Sequence, residues 1–191
     1  ENNVYAPLEP EQQKMYSAYL AAARREADAY LAAGGENTIR ILSLLLRLRQ
    51  ICCHPKLIDE DYQKGSGKLS LLEELLNSAK EAGHRVLVFS QFTSMLAIIE
   101  ERLRQLGISY FYLDGATPSA QRIALADRFN SGEGDVFLIS LKAGGTGLNL
   151  TGADMVVHYD PWWNPAVTDQ ASDRAYRIGQ TKAVQIIKLA T

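Results

Sequence analysis

Two hydrophobic rhythms run along this chain, and they change near residue 69. Before it, apolar positions recur at helical spacing. In EPEQQKMYSAYLAAARREADAYLAAGG, Tyr16, Leu20, Ala23, Ala27 and Leu31 form one stripe. Pro10 sits where a first helical turn tolerates it, and Gly34-Gly35 reads as the stop. TIRILSLLLRLRQICCHP continues the pattern until Pro55 breaks it. The polar, glycine-bearing DEDYQKGSGK reads as a linker or exposed loop.

After residue 69 short apolar runs alternate with amphipathic stretches. LSLLEELLNSAKEAG, TSMLAIIEERLRQLG, SAQRIALADRFNSG and AVTDQASDRAYRIG read as helices. RVLVFS, YFYLDG, DVFLISL, MVVHYD and VQIIKLA read as strands. Fully apolar strands separated by helices imply a parallel sheet buried on both faces. The expected fold is therefore α/β and doubly wound, with an amino-terminal helical extension over 1–66 and the sheet domain over 67–191. Ligands of such a sheet gather at the carboxyl ends of its strands.

Composition narrows the function classes. Of 191 residues, 47% are hydrophobic and 22% charged, an ordinary globular balance, and the net charge of -2 gives no global basic field, so any nucleic-acid surface must be local. Cys52 and Cys53 are the only cysteines and are neighbours, which argues against a disulfide framework and for a reducing, intracellular setting. CCH at 52–54 lacks the paired spacing of a zinc site, and no metal site is expected. No apolar stretch is long enough to span a bilayer. The ends, ENNVYAPLEP and KLAT, suggest a piece of a longer protein.

GSGK at 65–68 is a false lead to a phosphate loop. That pattern needs glycine five positions before the Gly-Lys pair and Ser or Thr after it, where this chain has Tyr62 and Leu69. No acidic pair suited to magnesium follows an apolar strand either. Three other stretches carry candidate chemistry. SLKAGGTGLNLTGAD, after a strand, holds three glycines in four positions that let backbone amides approach a ligand, with Lys142 at the strand exit; a plain glycine-rich turn is the alternative. Trp162 and Trp163, between Pro161 and Pro165, are either buried anchors or a stacking surface. In the following helix Gln170, Arg174 and Arg177 fall at i, i+4 and i+7 and share a face. Asp169 and Asp173 make surface salt bridging one explanation; two guanidinium forks converging on a polyphosphate terminus is the other. His54, His84 and His158 lack partners at ligand or triad spacing, and His158 reads as a core histidine.

Taken together, RVLVFSQFTSML, YFYLDGATPSAQR, VFLISLKAGGTGLNLTGADMVVHYDPWWNP and DQASDRAYRIGQTKAV resemble motifs IV, IVa, V and VI of the Swi/Snf-type superfamily-two ATPases. LLRLRQICCHPKL and SGKLSLLEELL are similar to the segment leading into that family's second lobe. The family has two RecA-like lobes that clamp ATP between them and track along double-stranded DNA; this chain resembles the second. The resemblance implies that Arg174 and Arg177 act as arginine fingers on the terminal phosphates, Arg177 foremost, with Gln170, Gly147 and Asn149 near the nucleotide. It implies DNA contacts from Ser90, Gln91, Gly115, Thr117, Ser140, Lys142 and Trp163. ATP with Mg2+ would be held mainly by the first lobe, which carries the phosphate loop that this chain lacks. Expected partners are double-stranded DNA, the first lobe and DNA-bound proteins, in a nucleus or a nucleoid, with no membrane. The expected function is the second motor lobe of a DNA-dependent ATPase that remodels protein–DNA complexes; the alternative is a non-catalytic binding module derived from such a lobe.

Overall fold

The computed structural model describes residues 1–191 apart from 36–37, 144–146, 162–163 and 176–178. The chain divides into two compact units, one over 6–71 and one joining residues 1–5 to 72–190.

The first unit is helical. Helices α1 (Pro10–Ala32) and α2 (Thr38–Cys53) pack against each other, and a 3₁₀ turn at Pro55–Leu57 follows. Its buried residues include polar side chains beside Leu48, Ile51 and Cys53. Gln12 is fully buried, and its amide nitrogen donates to the carbonyl of Ile51 at 2.8 Å while its oxygen accepts from the amides of Glu9 at 3.0 Å and Gly67 at 3.2 Å. A buried amide is tolerated only when both ends are satisfied, as here. The GSGK stretch starts helix α3 (Gly67–Glu81): buried Ser66 accepts from the amide of Leu69 at 3.1 Å and donates to the carbonyl of Cys53 at 2.9 Å. Its glycine serves close backbone approach, since a Cβ on Gly67 would fall 1.8 Å from the carbonyl oxygen of Pro7.

The second unit is built on a six-stranded sheet among the described residues, all of it parallel. Its strands are β1 (Asn2–Tyr5), β2 (Val86–Ser90), β3 (Tyr110–Leu113), β4 (Val136–Ser140), β5 (Met155–His158) and β6 (Gln185–Ala190), in the order β1-β6-β5-β2-β4-β3. Strands β2, β4 and β5 are buried throughout, as a sheet covered on both faces requires. Helices α4 (Thr93–Leu106), α5 (Ser119–Asn130) and α6 (Pro165–Ser172) lie between the strands in sequence. Phe111, Phe129 and Phe137 meet edge-on at the core, with ring centroids 5.4–6.5 Å apart.

Two elements depart from the sequence pattern. Asn2–Tyr5, inside the stretch expected to be helical, is a strand; it pairs with Ile187–Ala190, a partner too distant in sequence for local periodicity to reveal. The helix expected over 166–179 ends at Ser172. Beyond it the amides of Arg174 and Ala175 turn back to Ala171 and Ser172 at i−3. The carbonyls of Arg174 and Ala175, which a longer helix would need, accept instead from Leu150 and from the Gln180 side chain. Tertiary partners outcompete propensity here.

His158 is a core histidine, as expected. It stacks on Phe89 with centroids 5.4 Å apart and its Nε2 lies 2.8 Å from Ser172 Oγ, which donates to the carbonyl of Thr168, so Nε2 carries the proton. Burial holds its pKa down at about 4. Between that value and the ordinary one near 6.5 the unfolded chain binds the extra proton, so stability falls as pH drops across this window. The stability difference between the wild type and His158→Phe, from denaturant titrations at each pH, should therefore shrink by about 3 kcal/mol from neutral pH to pH 4. A difference independent of pH contradicts this.

Candidate nucleotide- and DNA-facing edge

Neighbouring strands β2 and β5 carry the chain in opposite directions, β2 onward to β3 and β5 onward to β6. Their carboxyl ends form the switch point at which such sheets bind ligands. An acid organises that point. Asp160, buried just past β5, accepts from Ser90 Oγ at 2.5 Å and from the amide of Gln91 at 3.0 Å. Ser90 Oγ accepts in turn from the amide of Phe92 at 3.1 Å, and the Ser90 carbonyl accepts from the amide of Leu141 at 2.8 Å. The exits of β2, β4 and β5 are thus one hydrogen-bonded cluster.

This places the expected DNA-facing residues in two groups. Ser90 and Ser140 are 1% and 3% exposed, so neither hydroxyl is presented at the surface of the chain; Ser90 instead holds Asp160. Lys142 and Gly115 are exposed, and Gln91 and Thr117 are half-buried. The side-chain nitrogen of Gln91 is enclosed with no hydrogen-bond partner among the described residues. Thr117 and Gly115 lie in a turn whose carbonyls converge on Arg122: Nε donates to Thr117 at 2.8 Å and Nη2 to Gly115 at 3.1 Å and Asp114 at 3.2 Å. Trp163 lies outside the described residues.

The loop between β4 and β5 is held by side chains from around it. Asn130 donates through Nδ2 to the carbonyl of Asn149 at 2.8 Å and accepts from the amide of Gly152 at 2.9 Å. Arg85 Nη1 reaches the carbonyl of Gly152 at 3.1 Å, its guanidinium lying 3.9 Å over the Phe129 ring. Gln180 Nε2 donates to the carbonyls of Ala153 at 2.7 Å and of Thr151 and Ala175 at 3.0 Å. Asp154 closes the loop, accepting from His84 Nδ1 at 2.8 Å and the amide of Arg85 at 2.9 Å. Burial pushes the Asp154 carboxyl up, but those two partners outweigh it and hold it below its ordinary value.

Arg174 is joined to the same loop. The amide of Leu150 donates to the Arg174 carbonyl at 3.0 Å, and a Cβ added at Gly147, where φ is +75°, would stand 4.0 Å from Arg174 Nη1. Gly147 and Arg174 thus come together, with Asn149 on the same loop. Gln170 does not join them as spacing implied. It is exposed in the last turn of α6, whereas Arg174 is 3% exposed beyond the helix end, so the shared helical face does not form. Arg177 lies outside the described residues. Sequence reading missed Asn130, Gln180, Arg85 and Asp160. The first three act on backbone carbonyls, which leave no mark in a sequence; only Asp160, an acid directly after an apolar strand, left a signal.

The sequence profile of the helicase conserved C-terminal domain matches residues 67–179. The chain belongs to that family. Human SWI/SNF-related matrix-associated actin-dependent regulator of chromatin subfamily A member 1 is 38% identical over 204 residues, covering all of this chain and 19% of the relative. The helicase C-terminal chain thus spans about a fifth of that curated relative's length. The C-terminal part of the Fun30 ATPase domain superposes with a TM-score of 0.85 at 26% identity, covering 100% of this chain and 84% of that one. The Sulfolobus solfataricus SWI2/SNF2 ATPase core in complex with dsDNA matches with a TM-score of 0.83 at 35% identity, over 99% of this chain and 40% of that one. The fold is accordingly the second, RecA-like lobe of a Swi/Snf-type ATPase.

Gly152 offers a direct check of the loop's packing. A Cβ there would fall 2.8 Å from Asn130 Cα and 2.9 Å from Arg85 Nη1. Gly152→Ala should destabilise the lobe by about 2 kcal/mol in denaturant unfolding; wild-type stability would show that the loop is not held as described.

Proposed function

We propose that this chain is the second motor lobe of a DNA-dependent ATPase that translocates on double-stranded DNA and remodels protein–DNA complexes. The observation that carries the reading is the tie between the loop after β4 and the Arg174 strip, made by the Leu150–Arg174 backbone bond beside Gly147. It puts a guanidinium and an open glycine backbone together at the carboxyl edge, a combination suited to the phosphates of a nucleotide. The Sulfolobus core with dsDNA and the human chromatin regulator support the DNA and ATPase parts by likeness.

On this reading Arg174 and Arg177 supply positive charge to the phosphates of ATP, Gly147 and Asn149 approach the nucleotide, and Gln170 lines the cleft's rim. A guanidinium aimed at charge that develops during phosphoryl transfer is worth roughly 10³-fold or more in rate. Mg2+ would be held mainly by the lobe that carries the phosphate loop. Bound there, it would neutralise phosphate charge. Lys142, Gln91, Gly115 and Thr117 form the DNA-facing side. Ser90 acts one step back by holding Asp160, which also fixes the backbone of Gln91. Such contacts go to the backbone and carry little sequence preference. No helix among the described residues is long and apolar enough to cross a membrane. A nucleus or a nucleoid, where the DNA is, suits this function.

In the intact protein Arg177→Ala should abolish ATP turnover while leaving DNA affinity within about twofold. Lys142→Ala, in the same assays, should weaken DNA binding for every sequence and lower the salt dependence by about one counterion. Full hydrolysis by the arginine variant contradicts the reading.

A further inference from the structure

Gln180 has no part in the nucleotide or DNA contacts above, yet its amide is used completely. Its Oε1 accepts from the amide of Lys182 at 3.0 Å, which fixes the orientation of the group. Its Nε2, with two hydrogens, then faces three carbonyls at 2.7–3.0 Å, so one hydrogen is shared. Two of those carbonyls, Thr151 and Ala153, belong to the loop after β4; the third, Ala175, is next to Arg174. Turning the amide over would set an oxygen against three oxygens.

We propose that Gln180 is a positioning residue that makes the loop after β4 and the Arg174 strip move as one body, so that DNA on the loop is felt at the arginine. This deepens the function proposed above and rests on it. The Leu150–Arg174 backbone bond is one tie between loop and strip, and the Gln180 bond to the Ala175 carbonyl is another, which resists rotation about the first. Reacting groups displaced by about 1 Å cost on the order of 10²-fold in rate, so a rotation of that size is enough to matter. A residue that merely satisfied carbonyls would change stability and leave the chemistry of each folded molecule untouched.

The test uses the intact protein with Gln180→Met, which keeps length and loses both polar ends, and Gln180→Glu, which keeps shape and replaces the donor. A carboxylate among three carbonyls is disfavoured, so the pKa of the introduced acid rises, and on protonation it regains one O–H donor. Both variants should keep DNA affinity and KM for ATP within about twofold, while DNA-stimulated kcat falls about tenfold or more. From pH 8 to pH 6 the kcat of Gln180→Glu relative to wild type should climb roughly threefold or more, and that of Gln180→Met should stay flat. Wild-type kcat in both variants, or lower thermal stability with unchanged kcat per folded molecule, overturns the proposal. If Gln180→Glu does not fold, the kcat against KM split in Gln180→Met decides alone. A wild-type protein whose turnover ignores DNA overturns the underlying function instead, and this proposal with it.

Discussion

Residues 149–153 form no helix or strand, so their backbone polar groups need partners from elsewhere in the lobe. Asn130, Arg85 and Gln180 supply them, reaching the carbonyls of Asn149, Thr151, Gly152 and Ala153 while Arg174 receives the amide of Leu150. Several of these bonds are part-buried, where leaving a carbonyl without a partner is costly, so together the side chains fix the path of the loop. Its fixed path is what keeps Gly147 beside Arg174.

The same competition for backbone partners shapes the strip after α6. A helix through Arg177 would have satisfied its own carbonyls and set Gln170, Arg174 and Arg177 on one surface. Instead the carbonyls of Arg174 and Ala175 are claimed by the loop and by Gln180, and the helix stops at Ser172. The result is a buried Arg174 bonded through its backbone to the loop after β4. On the function proposed, the arginine's position is then set by the loop after β4 and not by a free helix.

Much of this was legible in the residues themselves. The apolar runs at VLVFS, VFLIS and MVVH predict buried parallel strands and are such. AGGTGLNL and DRAYRIGQ marked the stretches that prove to be neighbours, because glycine freedom and guanidinium chemistry are properties of the residues. GSGK reads as a linker or exposed loop, but Ser66 is buried and Gly67 starts α3, a role that depends on Pro7 and Cys53, which no local pattern points to. The strand at Asn2–Tyr5 stayed hidden for a like reason: four mostly exposed residues gain their conformation from β6 alone. The helical periodicity after Pro165 was real in the sequence, but at Arg174 and Ala175 it yields to tertiary hydrogen bonds.

On the function proposed, the held loop and the held arginine make one side of an ATP site, and a phosphate-binding lobe supplies the other. The most direct measurement is ATP turnover by the 191-residue chain alone with saturating double-stranded DNA, beside a longer polypeptide that carries such a lobe. Background hydrolysis is expected from the chain alone and DNA-stimulated hydrolysis from the longer protein. Robust turnover by the chain alone would contradict this.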